Sequence, residues 1–147
     1  MKTYLLFFVL SVVSMPAFGQ TATIARAHSE AFARAMNAQD IDATLALYAE
    51  DARVIWPGVG DEAQGKIAIR ALIVSTLKSF PKDSRLELKS QDAMALGDGY
   101  IATVSHWEQA YTRDDGTKAT VQARATEIIR LNERGSLYVI DHASFGR

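Results

Sequence analysis

Residues 47–58 read LYAEDARVIWPG. An apolar helical pattern ends at Leu47 and Tyr48, passes through Glu50 and Asp51, and gives way to alternation of Val54 and Trp56 with Arg53 and Ile55. Alternation is the strand period, and Pro57-Gly58 stops it. A short acid at such a helix-to-strand junction bonds a following backbone amide, so Asp51 is expected in an Asx turn rather than in chemistry. The stretch thus marks the change from helix to sheet.

Upstream, Ile24, Ala27, Ala31, Phe32 and Ala35 recur at helical spacing, with Glu30 and Arg34 paired on the opposite side, and this first helix ends near Asn37. Asp40 is placed to cap a short second helix, with Asp42 in its first turn and Ile41, Leu45 and Tyr48 as its stripe. Downstream, GVGDEAQG reads as a loop. Lys66 to Phe80 carries Ile69, Leu72, Ile73, Leu77 and Phe80 on one helical face, closed by Pro81. The rest is extended: Leu86, Leu88, Met94 and Leu96 share a parity, Asp98-Gly99 signals a hairpin into Tyr100–Arg113, DDG turns into Lys118–Leu131, and NERG turns into Ser136–Phe145. Three helices followed by a meander of strands predict an α+β fold with the helices on one face of a curved antiparallel sheet.

A chain of 147 residues fits one domain with a core of its own. It has no cysteine, which excludes disulfides, thiolate metal sites and a thiol nucleophile. A net charge of -1 gives no electrostatic footprint for nucleic acid, so the partner is expected to be a small molecule or another protein. The start reads as a leader: Lys2, an apolar run from Tyr4 to Val13, Pro16, then Ala17-Phe18-Gly19. A membrane anchor needs about 20 apolar residues, and this run is shorter. A signal peptide over residues 1–19, cut after Gly19 or Gln20, is expected to leave a single domain over 20–147 in the periplasm or outside the cell, with no membrane anchor.

QDIDATLALYAEDARVIWPGVGDEAQGKIAIR, followed by RATEIIRLNERG and DHAS, resembles the NTF2-like superfamily, which includes ketosteroid isomerases and SnoaL-like polyketide cyclases. The resemblance spans nearly the whole chain after the leader. It implies a cone, a curved sheet wrapped around helices with a pocket at its wide end, a shape that serves enzymes and binders alike. In the isomerases the base is an Asp immediately before the Pro. Trp56 stands there in this chain, Phe32 stands where the oxyanion-holding Tyr falls, and Ile73 where its supporting Tyr falls. Tyr48 remains of that hydroxyl network, and Glu127 matches the second acid of the oxyanion hole. Indole accepts no proton at neutral pH, so steroid isomerisation by the Asp/Tyr route is not expected.

By the same resemblance and strand parity, Ala125, Glu127 and Ile129 face inward, as do Ile140, His142 and Ser144 on the last strand and Val104, His106 and Glu108 on the strand before Asp115-Gly116. Trp107, Tyr111, Leu137 and Val139 then face out and suggest a homodimer through the convex face. The expected pocket sets His142, Glu127 and His106 as the polar group, ringed by Phe32, Tyr48, Trp56, Val104, Glu108, Ile129, Ile140 and Ser144. No HExxH and no His pair at helical spacing occurs, so neither metal nor cofactor is expected. The leading expectation is an exported module binding a small, largely apolar or aromatic molecule. The alternatives are a cofactor-free lyase, isomerase or hydrolase, with His142 as acid-base group, Glu127 holding the substrate and His106 assisting, and a dimeric adaptor with a vestigial pocket.

Overall fold

The computed structural model describes residues 18–58 and 62–146. The expected leader lies outside them, except that Phe18 and Gly19 open the first helix, α1 (Phe18–Asn37). Its buried side is Thr21, Ala25, His28, Ser29, Phe32, Ala33, Ala35 and Met36, with Ile24 packed partly buried beside it, so Ile24, Phe32 and Ala35 of the expected face do meet the core. That side differs from the expected one in part: Ala27 is exposed, and Glu30 pairs with Arg26 at 2.9 Å instead of with Arg34. The small and polar side chains on it, Thr21, His28 and Ser29, were invisible to an apolar count.

Asp40 caps α2 (Ile41–Ala46) as expected, its carboxylate accepting from the Ala43 amide at 2.9 Å. The helix ends two residues before Tyr48, the last member of the expected stripe. Strand β1 (Tyr48–Ile55) begins at once, so Asp51 lies in the strand, exposed, 3.8 Å from Arg130, and not in a turn. The expected loop contains β2 (Ala63–Gln64), antiparallel to β1, while residues 59–61 lie outside the described set. Gly65 then opens α3 (Gly65–Ser79) at φ +75, in the left-handed region, where a Cβ would meet the Glu50 carbonyl at 3.4 Å. Phe80 ends α3 in extended conformation, as a residue before proline must.

Strands β3 (Arg85–Gly97), β4 (Tyr100–Thr112), β5 (Lys118–Asn132) and β6 (Gly135–Phe145) form an antiparallel meander, with the Asp98-Gly99 turn at φ 49 and 77, the left-handed pair such a hairpin requires. The six strands run β2-β1-β6-β5-β4-β3. Because β6 returns beside β1 and runs parallel to it, the sheet is mixed, which corrects the fully antiparallel expectation. The helices cover one face, and Phe32, Ile69 and Ile73 from them meet Val54, Ile101, Ile129 and Tyr138 from the sheet in one core.

Two bulges decide which side chains face that core. On β3 the register shifts between Leu88 and Ser90, so Leu86 and Leu88 point in before it and Gln91 and Ala93 after it. Met94 and Leu96 therefore lie exposed on the outer face, against the single parity read from the sequence. On β6 the shift leaves Val139 unpaired between Tyr138 and Ile140. Tyr138 points in, and after the bulge so does Asp141 in place of Ile140 and His142.

Candidate functional site

Antiparallel partners share a face, and this settles the inner wall. Glu127 stands opposite Thr103 on β4 and opposite Asp141 on β6. Because Glu127 is 2% exposed, the odd-numbered residues of β4, including Ser105, Trp107 and Gln109, face inward with it. Val104, His106 and Glu108 consequently point outward, a correction of the expected set; Val104 is 50% exposed, and Glu108 lies 3.7 Å from Lys89 beside a shallow outer cleft with His106. Ile140 (46% exposed), His142 and Ser144 are turned out by the Val139 bulge. Trp107 faces the pocket, Tyr111 shares its side of the strand, and Leu137 and Val139 pack partly buried against the core, so these four do not form the outer patch expected of them.

The pocket is a cavity of about 290 Å³ between helices and sheet. Phe32 is the centre of its aromatic wall, edge-to-face with Trp56 at 5.8 Å, Trp107 at 5.9 Å and Tyr138 at 6.1 Å between ring centroids. Phe80, Leu86 and Val121 continue the apolar lining, and Phe145 with Pro57 and Gly58 forms part of the rim. Of the expected residues, Phe32, Trp56 and Glu127 line this cavity together; Tyr48 and Ile129 are buried behind it.

Two carboxyl groups, Glu127 and Asp141, are set into this wall. Asp141 Oδ2 accepts from the Tyr48 hydroxyl at 2.6 Å and from the Trp56 indole N–H at 2.8 Å. Trp56 therefore does more than occupy the place of the isomerases' base: it holds another acid from the neighbouring strand. Glu127 Oε2 accepts from the Thr103 hydroxyl and from Ser105 at 2.8 Å. The Trp107 indole also lies within reach of the Glu127 carboxyl, and both carboxyls border the cavity.

Burial raises both acids. Glu127 is pushed up to about 7, first by desolvation and then by the Asp141 charge, against the hydroxyls of Thr103 and Ser105 and the Trp107 indole. Asp141 is raised by burial and held back by Tyr48, Trp56 and the nearby His142. Two neighbouring acids of this kind give up their protons in steps that belong to the pair rather than to either residue. The third histidine, His28, which the sequence did not single out, is buried with Nδ1 2.9 Å from Ser136 Oγ, and burial lowers its pKa to about 4. It stands as a neutral packing group beside Tyr138. No group of three His, Asp or Glu side chains that could hold a metal gathers among the described residues.

A cone-shaped α+β domain with an acidic, aromatic-lined pocket defines the class, and the family model of the SnoaL-like domain matches residues 29–139. The chain belongs to the SnoaL-like family. It is similar in structure to a ketosteroid isomerase-like protein from Erwinia carotovora atroseptica SCRI1043, with TM-score 0.72, 20% identity, and 88% of this chain and 99% of that one covered. An NTF2-like protein with a cystatin-like fold from Novosphingobium aromaticivorans gives TM-score 0.71 at 17% identity over 85% and 81%. A candidate dehydratase of the NTF2-like family from Streptomyces avermitilis gives 0.71 at 15% over 88% and 99%. At these identities the likeness carries the fold alone. No curated protein matches the chain significantly.

Proposed function

We propose that the pocket binds a small, largely apolar molecule carrying one polar ring substituent, and acts on it as a cofactor-free acid-base lyase or isomerase. The observation that carries this reading is the facing pair Glu127 and Asp141 at an otherwise apolar, aromatic cavity. The aromatic wall supplies affinity for a ring, and a volume near the lower end of ligand pockets limits the ligand to roughly one or two fused rings. The charged member of the pair takes a proton from carbon next to a carbonyl, the electron pair passing into the enolate. The protonated member donates its proton, either to another carbon of the same framework or to a departing hydroxyl that leaves as water. Neither course needs an oxidant or a second substrate. A group whose pKa lies near 7 serves both directions of transfer.

The test is binding and product formation for a panel of cyclic ketones, hydroxylated aromatics and β-hydroxy ketones, with wild type, Glu127→Gln and Asp141→Asn. Turnover lost in both variants, with binding kept within tenfold, is the expected result; turnover untouched by both sinks the acid-base assignment. Binding without turnover in wild type, weakened by Trp107→Ala, would leave the pocket as a pure binder.

Two further elements belong to the proposal. The chain is read as exported after cleavage at Gly19 or Gln20, supported by Lys2, the apolar run and Ala17-Phe18-Gly19; the intact mass of the secreted product tests this, and a full-length cytosolic chain would overturn it. It is also read as a homodimer. The surface for this is the outer row Met94, Ala102, Ile128 and Ile140, cross-strand neighbours over four strands, with Val104 beside it.

A further inference from the structure

Behind Glu127 lies a line of polar side chains that no acid-base step uses directly. Gln91, inward only because of the bulge before Ser90, donates from Nε2 to Ser29 Oγ of α1 at 2.7 Å and to Ser105 Oγ of β4 at 3.0 Å. Ser29 in turn lies 3.1 Å from the Tyr138 hydroxyl, and Ser105 reaches Glu127. The amide oxygen of Gln91 is buried with no partner among the described residues. An orphaned buried carbonyl is costly, so a residue kept there invites a reason.

The reason follows from counting protons. Both amide hydrogens of Gln91 are spent on the two serines. Ser105 Oγ, already accepting from Gln91, has one proton of its own, and the acceptor at 2.8 Å is Glu127 Oε2. Thr103 donates to the same oxygen. Turned over, the amide would accept from both serines and draw Ser105's proton away from the carboxyl. The direction of the Ser105 hydroxyl, and with it whether Oε2 keeps a second hydroxyl donor beside Thr103, is thus set by a side chain that touches neither Glu127 nor the cavity.

We propose that Gln91 is a positioning residue for Glu127: it commits Ser105 as a donor to Oε2, so that Oε1 alone carries the exchangeable proton and presents it to the pocket. This deepens the acid-base reading of the site and rests on it for its functional meaning. The titratable groups that face Glu127 are Asp141 and Tyr138 from β6 and Tyr48 from β1, whereas β3, β4 and α1 bring Gln91, Thr103, Ser105, Trp107 and Ser29, which do not titrate. The neutral relay is therefore the adjustable part of its surroundings.

The experiment follows the side-chain carboxyl carbon of Glu127 by NMR against pH in the ligand-free protein, the signal being assigned by its loss in Glu127→Gln. Gln91→Glu, whose carboxylate can only accept from Ser105, is expected to raise the Glu127 midpoint by about one pH unit, and by less than half as much in a Ser105→Ala background. An equal rise in both backgrounds would mean that the new charge acts through space alone, and no rise would mean that Gln91 only packs; either overturns the proposal. Gln91→Met, which adds no charge, guards against a misfolded carboxylate variant: a rise of about half a pH unit is expected, and no change is a refutation. Because no ligand is present, a pocket that proves inert toward the whole panel defeats the proposed activity and leaves this titration unaffected.

Discussion

Glu127 and Asp141 stand directly opposite each other on β5 and β6, each with one oxygen tied to protein donors; burial raises both, and the Asp141 charge raises Glu127 further. Facing acids on adjacent strands destabilise a sheet when both are charged. The proposed acid-base chemistry rests on their being placed together at the cavity.

The first prediction is about pH. An unfolded Glu127 titrates near 4.5 and the folded one near 7, so between these values the folded state holds more protons and stability falls as pH rises. Its share is fully present below pH 4.5 and lost above 7. His28 acts in the opposite sense, since its folded pKa near 4 lies below 6.5 and stability rises with pH across that window. Glu127→Gln removes only the first effect. Melting temperatures from pH 4.5 to 8 should show the variant gaining on wild type steadily as pH rises, and parallel curves would contradict the raised pKa.

Phe32 touches four aromatic rings edge-on, those of Tyr48, Trp56, Trp107 and Tyr138. Phe32→Ala should cost about 3 kcal/mol in denaturant unfolding, the low end for such a truncation, because the existing cavity already borders the ring. A loss under about 1 kcal/mol would mean that the ring is not the wall's keystone.

His142→Ala and His106→Ala alter residues on the outer face. Each is expected to change stability by no more than about 0.5 kcal/mol and to leave ligand affinity as it was. Calorimetric binding with any ligand found in the panel checks this, and a tenfold weakening in either variant would restore the histidine site that strand parity suggested.

If two copies meet through the outer face, Ile140→Asp should shift sedimentation to the monomer at micromolar concentration, since a charge at the centre of such a patch is left without a partner. A wild type that sediments as a monomer would already end that reading.

The helices and the three hairpins were legible in the sequence because each follows from local signals, such as a cap at Asp40 and turn residues at Asp98-Gly99, whereas Glu127 came from the resemblance to the isomerases, by a count back from Gly135. Asp141 was not legible. Counting outward from the closure Asn132–Gly135 brings Ile140 opposite Glu127, and one extra residue, Val139, puts Asp141 there instead. A bulge has no reliable local signature. A clue did exist: an acid between Ile140 and His142 in a strand otherwise rich in apolar residues needs partners, and Tyr48 and Trp56 were at hand. The inversion of β4 had another cause, since Glu127 inward already required Thr103 inward, but only register, a property of two strands together, makes the two statements one.

The position of β6 between β1 and β5 reaches beyond the pocket. β6, which follows the other five strands along the sequence, is an inner member of the sheet, and Asp141 meets donors 93 and 85 residues earlier in the chain. Without residues 135–145, β1 has no β6 beside it and the acid site cannot close. Folding dominated by such distant pairings is slow. A chain cut short before β6 should therefore leave β1 and β5 without the strand that joins them, and be open to proteases along both edges.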